Sequence, residues 1–380
     1  MKRFLLLLLI IGIAYISKPV WEDYLNRETT LSAKDSITTK MESIKNNPDV
    51  ATGLNAIADT FHEVIGWLDG SIAQLQKEQE QSELSPVEKP TLTAPEQQKF
   101  SLHNIELGDS KDKVEQAVGA PKRVSKNEYG VDWYSYHENY QNFMMISYSE
   151  NDIVNGLYTN QDLISSSNGV KLGSSKESVK AYLGEPITQM RKGFVYYQIQ
   201  DNGEYEIYQI DNSYITVFYD QHENNTVTAI QIIDLDLEGN RKDMYTKPSE
   251  QLKEGFEYQL FDLTNASRVN HNLGILTWDD HVKETARNHS IDMAENAYFN
   301  HENLRGQSPF DRMHEDNIAF IVAGENLAYG QFSSIFAHEG LMNSIGHREN
   351  ILKPDYQYLG VGVAFNEKSQ PYYTENFFSN

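Results

Sequence analysis

The sequence predicts an α+β protein: a C-terminal α/β/α sandwich, preceded by a duplicated module of helices on antiparallel sheet and by an N-terminal membrane anchor. Three observations predict this class. An apolar run follows Lys2-Arg3 at the start of the chain, residues 100–240 repeat one pattern at an offset of 65, and residues 256–380 carry three amphipathic helical stripes before two strands.

Composition narrows the class of protein further. The chain has 380 residues, of which 39% are hydrophobic, so two folded domains with cores of their own are expected. The formal charge of -23 repels phosphate backbones, which argues against nucleic acid as a partner. Because the chain has no Cys, the folded domains rely on packing rather than disulfides, and a lipid-modified cysteine anchor is excluded.

Residues 1–24 are predicted to be a signal anchor. The positive Lys2-Arg3 favours a cytoplasmic N-terminus and directs the apolar residues 4–17 across the membrane. No small-x-small cleavage pattern follows this run, so an uncleaved single span is favoured over a removed signal peptide. The bulk of the protein is therefore expected outside the cytoplasmic membrane, tethered to it, or secreted if the segment is cleaved.

Residues 25–99 are predicted to be a stalk. From Leu54 onward apolar residues recur at spacings of three and four, which indicates an amphipathic helix that either self-associates or lies on its own chain. Residues 76–98 are rich in Glu, Gln and Pro, which is typical of a solvated linker.

Residues 100–240 contain the internal repeat. In each copy a Leu-Gly pair precedes a Ser that can cap a short helix, and Gly then Pro end that helix; the capping residues are Ser110 and Ser175. Aromatic and β-branched runs follow both copies and predict antiparallel strands, with a turn at Asn202-Gly203. No catalytic constellation appears in this module, and its many tyrosines are attributed to sheet packing.

A charged linker is predicted at 241–255, followed by the C-terminal domain. Apolar stripes indicate three helices, around residues 256–269, 282–294 and 336–345, and the last of these leads directly to His347. Strands are predicted at 358–366 and 371–378. Helices around a short antiparallel sheet give three layers in the order α/β/α.

Three polar clusters between Tyr298 and Leu352 form the candidate site. They centre on His301, Glu325 and His347, each beside a Gly or Asn that can turn the backbone sharply. Their spacings are too long for one helical face, so only a tertiary fold can bring them to a common cleft.

These clusters, with the segments around them, resemble the CAP superfamily of cysteine-rich secretory, antigen five and pathogenesis-related one proteins, in the compact bacterial form. The resemblance covers residues 256–380. Residues 100–240 resemble the CAP-associated N-terminal domain, and more loosely the helix-on-sheet modules of β-lactamase inhibitor proteins. The motifs that carry the first resemblance are Asn265 to Arg268 with Leu273-Gly274 and Leu276 to Asp279, Ala286 to Ser290 with Met293-Ala294, Phe299 to His301, Gly324 to Ala328, Ser344 to Leu352, Gly360 to Ala364, and Tyr372 to Phe377.

The resemblance implies a cavity that usually carries two His and two Glu. His301, Glu325 and His347 match three of these four positions. The fourth position holds Ser344, and the family's preceding Trp is Leu341 here; Glu339, one turn earlier, is an open candidate for the missing acid. The residues expected to support the site are Ser344, Glu339, Asn326 and Arg348: Asn326 is expected to fix Glu325, and Arg348 to bond the backbone after His347.

The chemistry of two imidazoles and one carboxylate leaves several functions open. They are ligand types for Zn²⁺ or another divalent metal, they could relay protons about Glu325 as general base, or they could simply satisfy one another. Three hypotheses follow: a surface-tethered binding module, a metal-assisted hydrolase of peptide or wall substrates, and a structural envelope protein. Catalysis stays open at this point; the expected partners are a cell-wall component, a lipid or small ligand, or a surface protein.

Overall fold

The computed structural model describes residues 86–199 and 202–380. The predicted anchor at 1–24 and the predicted amphipathic helix after Leu54 lie outside the described residues. Within the described part of the chain, no helix combines the length and the apolar character that crossing a bilayer requires.

The N-terminal part is built on a seven-stranded antiparallel sheet in the order β2-β3-β4-β5-β11-β10-β9, with the short pairs β1-β6 and β7-β8 beside it. Its elements are β1 Phe100–Leu102, α1 Lys111–Val118, β2 Arg123–Lys126, β3 Asp132–Glu138, β4 Gln141–Tyr148, β5 Val154–Thr159, β6 Ile164–Ser166, α2 Lys176–Leu183, β7 Gln189–Lys192, β8 Val195–Gln198, β9 Tyr205–Ile210, β10 Ser213–Asp220, β11 Thr226–Asp234 and α3 Leu235–Asn240.

The predicted helix caps are confirmed in both segments. The hydroxyl of Ser110 accepts a hydrogen bond from the backbone N–H of Lys113, and that of Ser175 accepts one from Ser178. Each helix ends at a glycine with positive φ, as the pattern predicts. The strands of both segments join into one continuous sheet because β5 pairs with β11; the duplication itself stays a prediction.

The segment before β1 has no buried residue from 86 to 99, in agreement with the predicted solvated linker, and it is also hydrogen-bonded to the sheet domain. The backbone N–H groups of Glu96, Gln97 and Gln98 all donate to the carboxylate of Glu106, at 2.7 to 2.9 Å. The amide of Val87 donates to the side chain of Gln141 on β4. A Pro-rich segment can lie along a domain when side chains satisfy its amides, which composition does not reveal.

The C-terminal part is a four-stranded sheet in the order β12-β14-β15-β13, with helices on both faces. Its elements are α4 Glu250–Asn270, β12 Thr277–Trp278, α5 Asp280–Asn296, α6 Pro309–Glu315, β13 Val322–Tyr329, α7 Ser334–Asn343, α8 Ile345–Ile351, β14 Tyr358–Phe365 and β15 Pro371–Ser379. Helix α4 takes in residues 250–255 of the predicted linker.

Alternation along β14 separates the two helical layers. A Cβ at Gly360 or Gly362 would meet the backbone of helix α5 within 2.3 Å, so only glycine lets α5 approach this face. Val361 and Val363 point to the other face and join the core beneath α4. The predicted α/β/α order of layers matches this arrangement.

The two parts share one hydrophobic core within a single compact unit. Phe218 of β10 packs edge-on against Phe336 of α7, with ring centroids 5.1 Å apart. A Cβ at Gly255 would lie 2.0 Å from the carbonyl oxygen of Lys126, so α4 rests directly on strand β2. The buried Asp262 of α4 accepts hydrogen bonds from Arg123 of β2 and from Tyr140 in the turn between β3 and β4.

Candidate functional site

Glu325 is the centre of the candidate site and lies on strand β13. The expectation of a sharp turn beside it is wrong, because Gly324 lies within the strand rather than in a turn. Gly324 serves close packing instead: a Cβ there would lie 2.1 Å from the hydroxyl of Tyr356. The side chain of Glu325 is 1% exposed, so its carboxylate needs partners inside the protein.

Both carboxylate oxygens of Glu325 have such partners. Oε1 lies 2.9 Å from Nδ1 of His301, and Oε2 accepts from Nη2 of Arg312 at 2.5 Å. The other terminal nitrogen of Arg312 donates to the carbonyl oxygens of His301 and Gln307, at 2.8 and 3.1 Å. One guanidinium therefore fixes both the acid and the loop that carries His301.

His301 presents its imidazole at the surface of this cleft. Its side chain is 51% exposed, whereas the carboxylate behind it is buried. Because a carboxylate facing a guanidinium only accepts hydrogen bonds, Nδ1 is the protonated ring nitrogen in the neutral imidazole. The Nε2 lone pair then points away from Glu325 and is the atom available to a ligand.

His347 is near enough to His301 for their charges to interact, but it is not bonded to Glu325. Its Nδ1 lies 2.7 Å from the hydroxyl of Ser344, and that hydroxyl does not cap helix α8. Burial lowers the pKa of His347 below its ordinary value, and the positive charge of nearby His301 lowers it further. A neutral imidazole is therefore favoured at neutral pH. Both histidines are held through Nδ1, which leaves Nε2 as the outward nitrogen of each.

An amide network beneath the cleft holds His347 in place. Asn326 donates to the backbone carbonyl of His347 at 3.1 Å and to the carboxyl of Glu375 at 3.0 Å. Asn350 donates to the carbonyl of Glu325. The prediction that Asn326 fixes Glu325 is therefore wrong. The side chains of Asn326 and Glu325 point to opposite faces of β13, and it is Asn350 that bonds the backbone of Glu325.

Glu375 is a buried acid of the network for which the sequence predicts no role. Its carboxyl accepts from Thr264 of α4 at 2.7 Å as well as from Asn326. Burial raises the pKa of Glu375 to about 7, although both hydrogen bonds act to lower it.

Glu339 and Arg348 lie away from the cleft, at the boundary with the N-terminal sheet. Glu339 does not replace the missing fourth acid: its carboxyl bonds the hydroxyl of Tyr158 on β5 at 2.7 Å. Arg348 donates to Asp220 of β10 at 2.8 Å and only more weakly, at 3.3 Å, to the backbone of Met342. The expected backbone role of Arg348 is therefore secondary to an ion pair between the two parts.

A metal held jointly by His301, Glu325 and His347 does not fit this arrangement. Glu325 has both oxygens engaged, and one of them faces a guanidinium. In the part of the chain that the structure describes, no group of three or more His, Asp or Glu side chains is placed to hold a metal ion. The two Nε2 atoms remain as candidate ligands, so binding of Zn²⁺ or another divalent ion stays a prediction.

Arg312 is the functional residue that the sequence interpretation missed. Helix α6 begins with a capping box between Ser308 and Asp311, with Pro309 at its first position. This Ser-Pro-x-Asp signal predicts the helix, and a cation one turn inside it faces the preceding loop. Nothing in the local pattern reveals that its partner is Glu325, which lies on another element.

Two family models match the chain. Residues 107–245 match the CAP-associated N-terminal family, and residues 261–377 match the cysteine-rich secretory protein family. The chain is 30% identical over 290 residues to the membrane protein YlbC of Bacillus subtilis (strain 168), an alignment that covers 71% of this chain and 82% of that protein.

Solved structures agree with these matches. An extracellular protein containing an SCP domain from Bacillus anthracis str. Ames is 25% identical, with a TM-score of 0.63 over 77% of this chain and 100% of the other. A cysteine-rich secretory protein from Staphylococcus aureus has a TM-score of 0.58 at 17% identity, over 72% of this chain and 91% of the other, and so supports the fold alone.

Proposed function

Because the chain belongs to the CAP family of cysteine-rich secretory proteins and carries their CAP-associated N-terminal domain, we propose that it is a cell-surface-tethered binding module. Its ligand is a hydroxyl-bearing component of the cell wall, taken up in the cleft between His301 and His347. The relatives support the location: one is a membrane protein and another is an extracellular protein. The predicted anchor at 1–24 supplies the tether.

The observation that carries this proposal is the state of Glu325. Its buried carboxylate is engaged on one side by Arg312 and on the other by His301. A general base has to reach a substrate proton directly or through one water, and an acid 1% exposed with both oxygens engaged is not placed to do so. Glu325 instead orients His301, which is the function of a support in a recognition site.

The class of ligand follows from the outward atoms. Nε2 of His301 is a hydrogen-bond acceptor, and a neutral His347 offers a second imidazole edge. Two residues before each histidine lies an exposed apolar side chain, Phe299 at 48% and Ile345 at 58%. Hydroxyls beside apolar ring faces are the combination that sugars present, so a wall glycan suits the cleft better than an anion or a lipid tail.

The test is co-sedimentation of the full chain, purified in non-ionic detergent, with insoluble cell-wall sacculi. We expect His301→Gln and His347→Gln each to weaken binding about tenfold, the effect of losing one hydrogen bond of about 1.4 kcal/mol. The matched control is His314→Gln, at an exposed position on α6. Equal retention of all four proteins, or no retention of any, contradicts the proposal.

A second candidate function is hydrolysis of a peptide or wall substrate. The observation that favours it is the Ser344 hydroxyl 2.7 Å from Nδ1 of His347, whose lowered pKa suits an acceptor of the hydroxyl proton. Release of soluble fragments from sacculi, lost in Ser344→Ala and in Glu325→Gln, would favour this function over simple binding. Retention of sacculi without any release favours the binding module.

Metal binding is a separate question that the same preparation answers. Calorimetric titration with Zn²⁺ is compared between the wild-type protein and a double variant, His301→Ala with His347→Ala. If the two imidazoles hold a metal, the wild-type protein binds one Zn²⁺ that the double variant does not. Equal heats of Zn²⁺ binding in both proteins would show that the two imidazoles do not hold a metal.

A further inference from the structure

A second cavity lies where the N-terminal sheet meets helix α7, away from the His301 cleft. Its volume is about 410 Å³, which is within the size range of small-molecule sites. Strands β9 and β10 form one wall, and helix α7 with the loop before it forms the other. From this cavity we infer a binding site for an organic ammonium ion, with Glu339 as its counter-charge.

Aromatic rings form the walls of this cavity. Tyr205, Phe218, Phe332 and Phe336 line it and contact one another in sequence. The Tyr205 and Phe336 rings meet edge-on with centroids 5.0 Å apart, and those of Phe332 and Phe336 are 4.3 Å apart. The faces of such rings attract cations, most strongly where water is excluded.

One of these rings already carries a cation of the protein itself. The guanidinium of Arg241 lies 4.4 Å from the centroid of Phe332. The carboxylate of Glu238 accepts from Arg241 at 2.9 Å and also pairs with Lys192. The wall is thus compatible with a positive charge against its rings.

The charged groups of the lining are all acidic. Glu204 and Glu339 both line the cavity, whereas no Lys, Arg or His does so among the described residues. The carboxylate of Glu204 reaches within 4.0 Å of the Cβ position at Gly340, next to Glu339 in the chain. A cavity with aromatic walls and two carboxyls selects an organic cation over an anion or a neutral molecule.

Glu339 is the carboxyl group whose negative charge a bound ammonium ion would balance. It is 4% exposed, and its hydrogen-bond partner is the neutral hydroxyl of Tyr158. Within the described residues it forms no ion pair, in contrast to Glu325 with Arg312. Burying a carboxylate without a cation is costly, and a bound ammonium ion removes that cost.

The groups that face Glu339 define how binding depends on pH. The pKa of Glu339 is raised to about 7: burial raises it most and Asp220 of β10 also raises it, while Tyr158 of β5 and Arg348 of α8 lower it. His338, its neighbour on α7, stays neutral because burial lowers its pKa to about 3. A bound cation favours the ionised carboxyl, so affinity rises as the pH rises through about 7, and binding below that pH releases a proton.

The experiment is calorimetric titration of the full chain in non-ionic detergent with choline chloride and with its neutral isostere 3,3-dimethylbutan-1-ol. We expect choline to bind at least about tenfold more tightly than the alcohol, the size of one desolvated cation–π contact with its counter-charge. A second arm uses Nα-acetyl-lysine amide, which distinguishes a free ammonium ion from a lysine side chain by which of the two probes binds more tightly.

Variants complete the test. Glu339→Gln keeps an oxygen for the hydroxyl of Tyr158, and we expect it to abolish both the preference for the cation and the proton release measured in buffers of different ionisation enthalpy. Phe332→Leu, at a half-buried wall position, should weaken choline binding several-fold; Glu295→Gln, exposed on α5, is the matched control and should change nothing. The inference is overturned by equal binding of choline and the alcohol, by no binding of either cation at 10 mM, or by wild-type behaviour of Glu339→Gln. None of these outcomes bears on the sacculus test of the His301 cleft.

Discussion

Glu325 and Glu339 are two buried acids of one domain whose surroundings are opposite. Glu325 faces a guanidinium and an imidazole, which engage both of its carboxylate oxygens. Glu339 faces a phenol, and burial raises its pKa to about 7. The comparison teaches that burial alone does not define the role of an acid: a paired acid positions its neighbours, whereas an acid without a cation can gain one from a ligand.

The largest effect is expected from removing the cation of the paired acid. Arg312→Met leaves Glu325 buried without its guanidinium and frees the carbonyls of His301 and Gln307. We expect the free energy of unfolding to fall by about 3–5 kcal/mol, the usual result of breaking a buried pair. Urea unfolding of the full chain, followed by tryptophan fluorescence, measures it.

The control for this variant is Arg305→Met, which removes an exposed ion pair with Glu315 on the same loop and helix. That change should alter stability by no more than about 0.5 kcal/mol. If Arg312→Met costs as little as its control, the pairing of Glu325 is not what holds the loop, and the contrast between the two acids fails.

The next predicted effect is a change in stability that has opposite signs for the Gln variants of the two acids. Glu339 has a folded pKa of about 7 against 4.5 when exposed, so its contribution to stability is fully present below about pH 4.5 and is lost as the pH rises through about 7. Glu339→Gln does not titrate, and at pH 8 it should be more stable than the wild-type protein by up to about 3 kcal/mol, with the gain absent at pH 4.5.

Glu325→Gln should act in the opposite direction at pH 8. It leaves the guanidinium of Arg312 buried against a neutral amide, and we expect a loss of stability of about 2 kcal/mol or more. Denaturant unfolding of the three proteins at both pH values gives all four differences. Stabilisation by both Gln variants, or by neither, would show that the two acids have similar surroundings in solution.

The sequence predicts much of the fold because its signals are local. Ser110 and Ser175 cap the helices that the pattern predicts, and β14 and β15 lie within one residue of their predicted bounds. Such features depend on hydrogen bonds and periodicity within a few residues. The contact between the two parts is different: it joins residues more than 100 positions apart, as in Phe218 with Phe336, and no window of sequence contains both.

The candidate site shows the same difference between local and long-range features. Its members His301 and Glu325 could be selected from the sequence because their motifs are compact, and the structure brings them together. The partners could not: Arg312 acts from another helix, and Glu339 turns toward Tyr158 because α7 packs on the N-terminal sheet. A motif fixes which side chains are present, but the packing of elements decides which atoms they meet.

The ion pair between Arg348 and Asp220 should contribute less than that of Glu325. Both side chains are 11% exposed and their atoms lie 2.8 Å apart, so the pair is partly solvated. We expect Asp220→Asn to cost about 1–2 kcal/mol. Unfolding should remain a single transition, because the apolar core shared by the two parts stays intact. Two separate transitions in this variant would mean that the ion pair, and not the core, joins them.

The smallest effect is expected at the two imidazoles of the candidate site. Here the change tested is the loss of charge repulsion between His301 and His347. Burial lowers the pKa of His347, and the charge of His301 lowers it further. Replacing His301 with Gln removes that charge, so the pKa of His347 should rise while staying below its ordinary value, because its burial is unchanged. An NMR titration of the histidine ring protons in the full chain measures the shift.

His314→Gln is the control on α6, and it should leave the titration of His347 unchanged. A pKa of His347 that does not respond to His301→Gln would place the two rings too far apart to contact one ligand, and the shared cleft would have to be abandoned.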